Sequence, residues 1–173
     1  ENVLHALQQI AAVHRHRFHY PVIGITGSNG KTTVKEWLFQ LLNNDYNIVR
    51  SPKSYNSQVG VPLSVWNMSE SHTLGIFEAG ISLPGEMDQL QHIIDPEIGV
   101  FTYIGDAHAE GFENPVQKIN EKLKLFIKSK VLIYCADDDR MHDSVLAFKE
   151  THHKALQLFG WSRKQGSTLL ICK

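Results

Sequence analysis

The sequence predicts an α/β domain: a mostly parallel sheet with helices on both faces, of the P-loop NTPase-like kind. Short apolar or β-branched segments alternate with helical segments along nearly the whole chain. One strand-to-helix junction, GITGSNGKTT at 24–33, has the make-up of a phosphate-binding loop. Such alternation implies right-handed crossovers and a sheet buried between helices. In these sheets ligands sit beyond the carboxyl ends of the strands.

Residues 3–13, VLHALQQIAAV, place Val3, Leu4, Leu7, Ile10, Ala11 and Val13 on a helical stripe. The HRHRFHY stretch that follows holds His14, His16 and His19 without a carboxylate or cysteine at ligand spacing, so a solvated helix end or linker is expected rather than a metal site. Then come YPVIGIT and a helix over 31–43, YNIVR and a helix near 58–67, HTLGIFEA and a helix near 84–94, and IGVFTYI and a helix near 115–128. VLIYC precedes a helix near 140–150, and LQLFG and TLLIC close the chain. A length of 173 residues suits one domain with its own core. Because the chain begins at Glu1 and stops inside an apparent strand, it is expected to be part of something longer. Residues 1–19 are assigned to a helix and linker from a preceding domain, and 20–173 to a ligand-binding domain clipped at its C-terminal end.

Lys plus Arg is 17 and Asp plus Glu is 18, a formal net charge of −1. No overall field therefore recruits nucleic acid, and any anion binding must be local. Cys135 and Cys172 lie in apolar contexts, which fits reduced, buried strand thiols of a cytoplasmic protein. No apolar stretch approaches the ~18 residues of a membrane span, so no membrane insertion is expected, and the N-terminus lacks the layout of a signal peptide.

In the loop, Gly27, Ser28, Asn29 and Gly30 can turn backbone N–H groups toward phosphate oxygens at a helix N-terminus. Lys31 meets the terminal phosphates, Thr32 stands in the magnesium position and Thr33 is the next residue in. The strict Walker spacing fails, since Ile25 stands where a glycine is required and Gly24 comes one residue early. Glu78 ends a strand segment, as a carboxylate does when it holds magnesium bound to nucleotide phosphates; a helix-capping or surface glutamate is the alternative. Asp106 and His108 follow the next strand, where a neutral imidazole can bind a second metal or a metal-bound water; otherwise His108 is a satisfied turn residue. Asp137, Asp138 and Asp139 fit a helix N-terminus better than a metal cluster. Lys118 and Lys122, four apart in KINEKLKLF, look like an ordinary basic helix face, with Leu123 and Phe126 facing inward.

Taken in order, GITGSNGKTTVKEW, SYNSQVGVPLSVW, EAGISLPGEM, YIGDAHAEGF and NEKLKLF resemble the Mur ligases over roughly residues 20–140, and most nearly the central ATP-binding domain of the D-alanyl-D-alanine-adding branch. The resemblance implies a cytoplasmic, ATP- and Mg2+-dependent ligase of peptidoglycan synthesis. Such an enzyme joins D-Ala-D-Ala to UDP-MurNAc-tripeptide through an acyl phosphate. It implies that Lys31 holds ATP phosphates, that Thr32 and Glu78 hold the first magnesium, and that His108 serves the second metal site. It implies a carbamate on Lys122, which turns a cation into a metal-orienting acceptor. Asn56, with Gly60 and Pro62, matches the family's asparagine-led turn.

Ser57, Ser82, Tyr103 and Lys124 depart from the family's frequent residues and are similar to the branch fused to an alanine racemase. The family's substrate-binding first and third domains, and its later asparagine segment near the adenine, have no counterpart here, so the chain alone is not expected to ligate. A folylpolyglutamate synthase is the nearest enzymatic alternative, although its loop tends to read GKGS where this chain has Gly30, Lys31, Thr32 and Thr33. A nucleotide-binding module without catalysis is the alternative of a different class.

Overall fold

In the computed structural model, which describes residues 2–105, 111–152, 154–163 and 169–170, the expected alternation appears element by element. The order is α1 (Val3–Arg15), β1 (Val22–Thr26), α2 (Lys31–Leu42), β2 (Ile48–Arg50), α3 (Gly60–Val65), β3 (Leu74–Glu78) and α4 (Glu86–Ile94). Then follow β4 (Ile98–Phe101), α5 (Pro115–Leu123), β5 (Val131–Cys135), α6 (Asp139–His152), β6 (Gln157–Ser162) and β7 (Leu169–Leu170). Among the described residues seven strands lie in the order β2-β3-β1-β4-β5-β6-β7, and each neighbouring pair is parallel. β1 is buried along its whole length between β3 and β4. The chain leaves β1 toward one edge and β4 toward the other, so the loop after β1 opens at the switch point where such sheets bind ligands.

Helices cover both faces. On one, Ala11 and Ala12 of α1, Val61 and Val65 of α3, Leu90 and Ile94 of α4, and Val145 of α6 share a core with Val22, Phe77, Phe101 and Leu132. On the other, Val34, Leu38 and Leu42 of α2 lie on Ile23, Ile25, Leu74 and Ile76.

The helix expected near 115–128 stops at Leu123 and tightens into a 3-10 turn, Lys124–Phe126. Leu123 and Phe126 face inward as expected. The Phe126 ring settles on β4 at Gly99, where a Cβ would stand 2.5 Å from it.

The HRHRFHY segment is solvated only in part. His16, Arg17 and His19 are exposed, but Arg15 is buried. Its guanidinium donates to the carbonyls of Ile94 at 2.9 Å, Phe18 at 2.8 Å and Asp95 at 3.2 Å. The His14 ring packs against Trp66 and Phe18, and the Gln8 amide donates to Gln58 at 2.9 Å. These contacts tie α1 to α3 and α4.

The acidic run is structural, as expected: Asp138 accepts from the backbone N–H of Arg140 and Met141 at the start of α6, and Asp137 accepts from Ser162 and Arg163. Among the described residues no group of three His, Cys, Asp or Glu side chains could hold a metal, and no helix is long and apolar enough to cross a membrane. Cys135 is half-buried at the end of β5, and Cys172 lies outside the described residues.

Candidate functional site

The loop is shaped by two glycines and held by the strand beside it. Gly27 has φ 146°, and a Cβ there would come within 2.0 Å of the Thr102 hydroxyl oxygen, so no side chain fits. The Thr102 hydroxyl donates to the carbonyls of Asn29 (2.7 Å) and Thr26 (3.2 Å), and Ser28 N–H donates to the Tyr103 carbonyl at 2.7 Å. Gly30, at φ 83°, is the left-handed cap of α2 and supplies no capping side chain. The first N–H groups of α2 are thereby left for a ligand. Gly24 belongs to the strand instead: it pairs with Phe77 and Gly99, and a Cβ would meet Pro96 at 2.8 Å. The misplaced Walker glycine is therefore a packing residue, and Gly27 opens the turn.

Beside the loop lies a cavity of about 420 Å3 lined by Gly27, Ser28, Lys31, Asn56, Ser57, Gly80, Ile81, Ser82, Lys118 and Lys122. The Lys31 ammonium donates to the carbonyl of Gly27 at 2.9 Å, and burial lowers its pKa, with Glu78 opposing and Lys118 assisting. Lys118 is buried and donates to the Gly105 carbonyl at 3.3 Å. Lys122 is 2% exposed and its pKa falls to about 7, first because it is desolvated and then because Lys31 and Lys118 repel its charge. The basic helix face expected from the sequence is thus a buried one. Its two lysines meet Lys31 across a cavity suited to an anion.

The carboxylate lies behind Thr32. Glu78 is fully buried at the end of β3, which rejects the surface or helix-capping alternative. Its Oε2 accepts from the Thr32 hydroxyl at 3.0 Å and from the Asn56 amide at 3.4 Å. Its Oε1 is buried against the ammonium of Lys35 at 3.0 Å, which is its charge partner. A hard cation needs oxygen donors of this kind, and Oε2 with the Thr32 hydroxyl alongside supplies them.

Of the expected site residues, Gly27, Ser28, Lys31, Asn56 and Lys122 line the cavity, and Thr32 and Glu78 meet beside it. Ser28 contributes a buried hydroxyl with no hydrogen-bond partner among the described residues. Asn29 and Thr33 are exposed and do not line the cavity. Asn29 acts through its carbonyl on Thr102, and Gly30 through its left-handed turn. Asp106 and His108 lie outside the described residues. Sequence reasoning missed Lys35, Ser51 and Thr102, all of which brace the loop or the carboxylate. The signal for Lys35 was its place three residues after Thr32 and four after Lys31, on the same side of α2.

Comparison with known proteins finds similar sequences and similar folds. Residues 25–168 match the Mur ligase middle domain. The UDP-N-acetylmuramoyl-tripeptide–D-alanyl-D-alanine ligase of Bacillus subtilis is 31% identical over 100% of this chain, which spans 39% of that relative's length. The MurF crystal structure from Acinetobacter baumannii superposes with a TM-score of 0.84 at 26% identity, covering 95% of this chain and 36% of that one. MurF from Thermotoga maritima, solved in complex with ADP, gives 0.81 at 26% identity, covering 96% of this chain and 38% of that one.

Proposed function

The chain belongs to the Mur ligase family, and from that premise we propose that it is the ATP-binding central domain of a peptidoglycan-precursor ligase joining D-Ala-D-Ala to UDP-MurNAc-tripeptide. Residues 20–173 form that domain in this reading, and 1–19 link it to a preceding one while α1 packs into its core. The observation that carries it is the arrangement of one loop between a cavity of three lysines and a buried carboxylate bearing a threonine hydroxyl.

A carboxylate is a poor acyl donor. Transfer of the γ-phosphoryl group of ATP to the tripeptide's terminal carboxylate, with ADP leaving, makes an acyl phosphate. The D-Ala-D-Ala amine then attacks the acyl carbon, inorganic phosphate departs and the amine loses a proton. Both steps crowd negative charge onto phosphoryl oxygens, so the protein's work is charge stabilisation and alignment. Lys31 and the open N–H groups of α2 hold the phosphates, and the Ser28 hydroxyl turns its unused hydrogen-bonding capacity to them. Thr32 and Glu78 would hold Mg2+, which when bound would neutralise phosphate charge. The Glu78 Oε2 and the adjoining Thr32 hydroxyl are oxygen donors that fit such an ion. The Asn56 amide steadies Glu78, and His108 would serve a second metal.

Lys122 is the proposed carbamate. A buried amine with a pKa of about 7 is substantially neutral at neutral pH. Only the neutral amine adds to carbon dioxide, giving a carbamate and releasing a proton. The new anion faces Lys31 and Lys118 favourably, where the ammonium was repelled. Lys122→Ala should abolish ligation in the enzyme carrying all its domains, with partial rescue by short carboxylates.

In this reading the whole enzyme works in the cytoplasm, and the departures at Ser57, Ser82, Tyr103 and Lys124 are the sequence feature behind the proposal of a fused alanine racemase. The test is mass spectrometry after incubation with ATP, Mg2+, UDP-MurNAc-tripeptide and D-Ala-D-Ala. The chain alone is expected to give no pentapeptide and the complete enzyme to give it; a complete enzyme that forms none refutes the reading.

A further inference from the structure

We propose that Lys35 is a positioning residue of the metal–nucleotide site: it holds the Glu78 carboxylate in the orientation that presents it to the phosphate loop. The inference rests on reading Glu78 as a magnesium ligand. Lys35 is fully buried in α2. Its ammonium donates to the Ser51 carbonyl at 2.8 Å and to the Lys53 carbonyl, and lies 3.0 Å from Glu78 Oε1 and 3.2 Å from Glu36 Oε1. Ser51 closes the bracket, because its hydroxyl accepts from the Glu78 N–H at 3.1 Å. Glu78 is therefore fixed at its backbone by Ser51 and at its carboxylate by Lys35, with Oε2 directed to Thr32 and Asn56.

Two features mark this as more than packing. A buried ammonium and a buried carboxylate are each costly unless paired, so either one alone would turn or change protonation. Lys53 holds a left-handed backbone at φ 49°, uncommon for a residue with a side chain, and its carbonyl is one of the oxygens on Lys35. The loop from β2 is thus bent around this ammonium as well.

Lys35 touches no reacting atom, and its effect should appear only through Glu78. Calorimetric titration with ADP, in EDTA and in Mg2+, separates that role from a purely structural one. In the wild-type chain Mg2+ should tighten ADP binding. In Lys35→Met, ADP affinity in EDTA should stay within about twofold while the gain from Mg2+ drops about tenfold, the scale seen when a partner that orients a metal ligand is lost. Glu78→Gln should lose the gain, and the double variant should be no worse than Glu78→Gln alone. Lys35→Gln keeps amide donors for the Ser51 and Lys53 carbonyls, and should fold while losing the gain equally. A wild-type Mg2+ gain in either Lys35 variant, or a Lys35 effect that adds to Glu78→Gln, overturns the proposal. A wild-type chain that shows no Mg2+ gain overturns the reading of Glu78 itself.

Discussion

Lys122→Met tests whether the ammonium of Lys122 is a burden on the fold. The pKa falls from 10.5 to about 7, and at ~1.36 kcal/mol per pH unit the penalty is capped at roughly 5 kcal/mol. Rearrangement around the charge lowers this, so about 2–3 kcal/mol is expected, or on the order of 5–10 °C in Tm for a domain of this size. The sign follows from proton counts. Below pH 7 both folded and unfolded chains carry the proton, and the whole penalty is present. Between pH 7 and 10.5 only the unfolded chain binds it, so folded stability rises with pH across that window. A methionine thioether has no proton to bind. The variant should therefore melt higher than wild type at pH 6, and its advantage should shrink toward pH 10. Thermal denaturation followed by circular dichroism in CO2-free buffer at pH 6, 8 and 10 measures this. Added bicarbonate at pH 8 should then stabilise wild type and leave Lys122→Met unmoved. A variant that gains the same at pH 6 and pH 10, or loses stability at pH 6, refutes the argument.

Three further outcomes follow from the geometry. Lys31→Met should not lower the melting temperature, since it removes a desolvated charge that repels Lys122, and should weaken ADP by about 10–100-fold, because a charge-assisted hydrogen bond is removed at the phosphates; calorimetry checks both parts. Gly27→Ala forces a methyl within 2.0 Å of the Thr102 hydroxyl at φ 146°, and should cost about 1–3 kcal/mol in urea unfolding. Arg15→Met leaves the carbonyls of Ile94, Phe18 and Asp95 without their donor, and should destabilise by about 2–4 kcal/mol, with hydrogen exchange accelerated in α1.

The fold was legible because its signals are periodic and local. Apolar strand segments and helical stripes fall in order, and even the 115–128 helix departs from its expected span only at its end, where Phe126 turns down onto Gly99. The loop was legible because glycine and lysine at that junction have few other uses. Buried charge was not legible. Lys35 sits in VKEW like any solvated helix lysine, and Lys118 and Lys122 look like a basic face. Which way an ammonium points depends on β2, β3 and the loop after β1, elements distant in sequence that only the sheet order brings together. Asn29 and Thr33 show the converse: residue type placed both in the loop, but their side chains stand in solvent.

The formal net charge of −1 and a cavity lined by three lysines belong to one design. With no overall field, attraction for an anion has to be made locally, and burial makes it strong by removing the water that would screen it. The same burial strips the lysines of water and, second to that, lets them repel one another, as the lowered pKa of Lys31 and of Lys122 records. A phosphate-bearing ligand relieves that repulsion, so binding should raise the stability of the fold as well as fill the site. A carbamate on Lys122 would relieve it in another way, replacing +1 by −1 beside Lys31 and Lys118. The ammonium form favours phosphate alone, whereas the carbamate form favours phosphate together with a metal ion. On this argument the protonation and modification of one buried amine decide which of the two the cavity accepts.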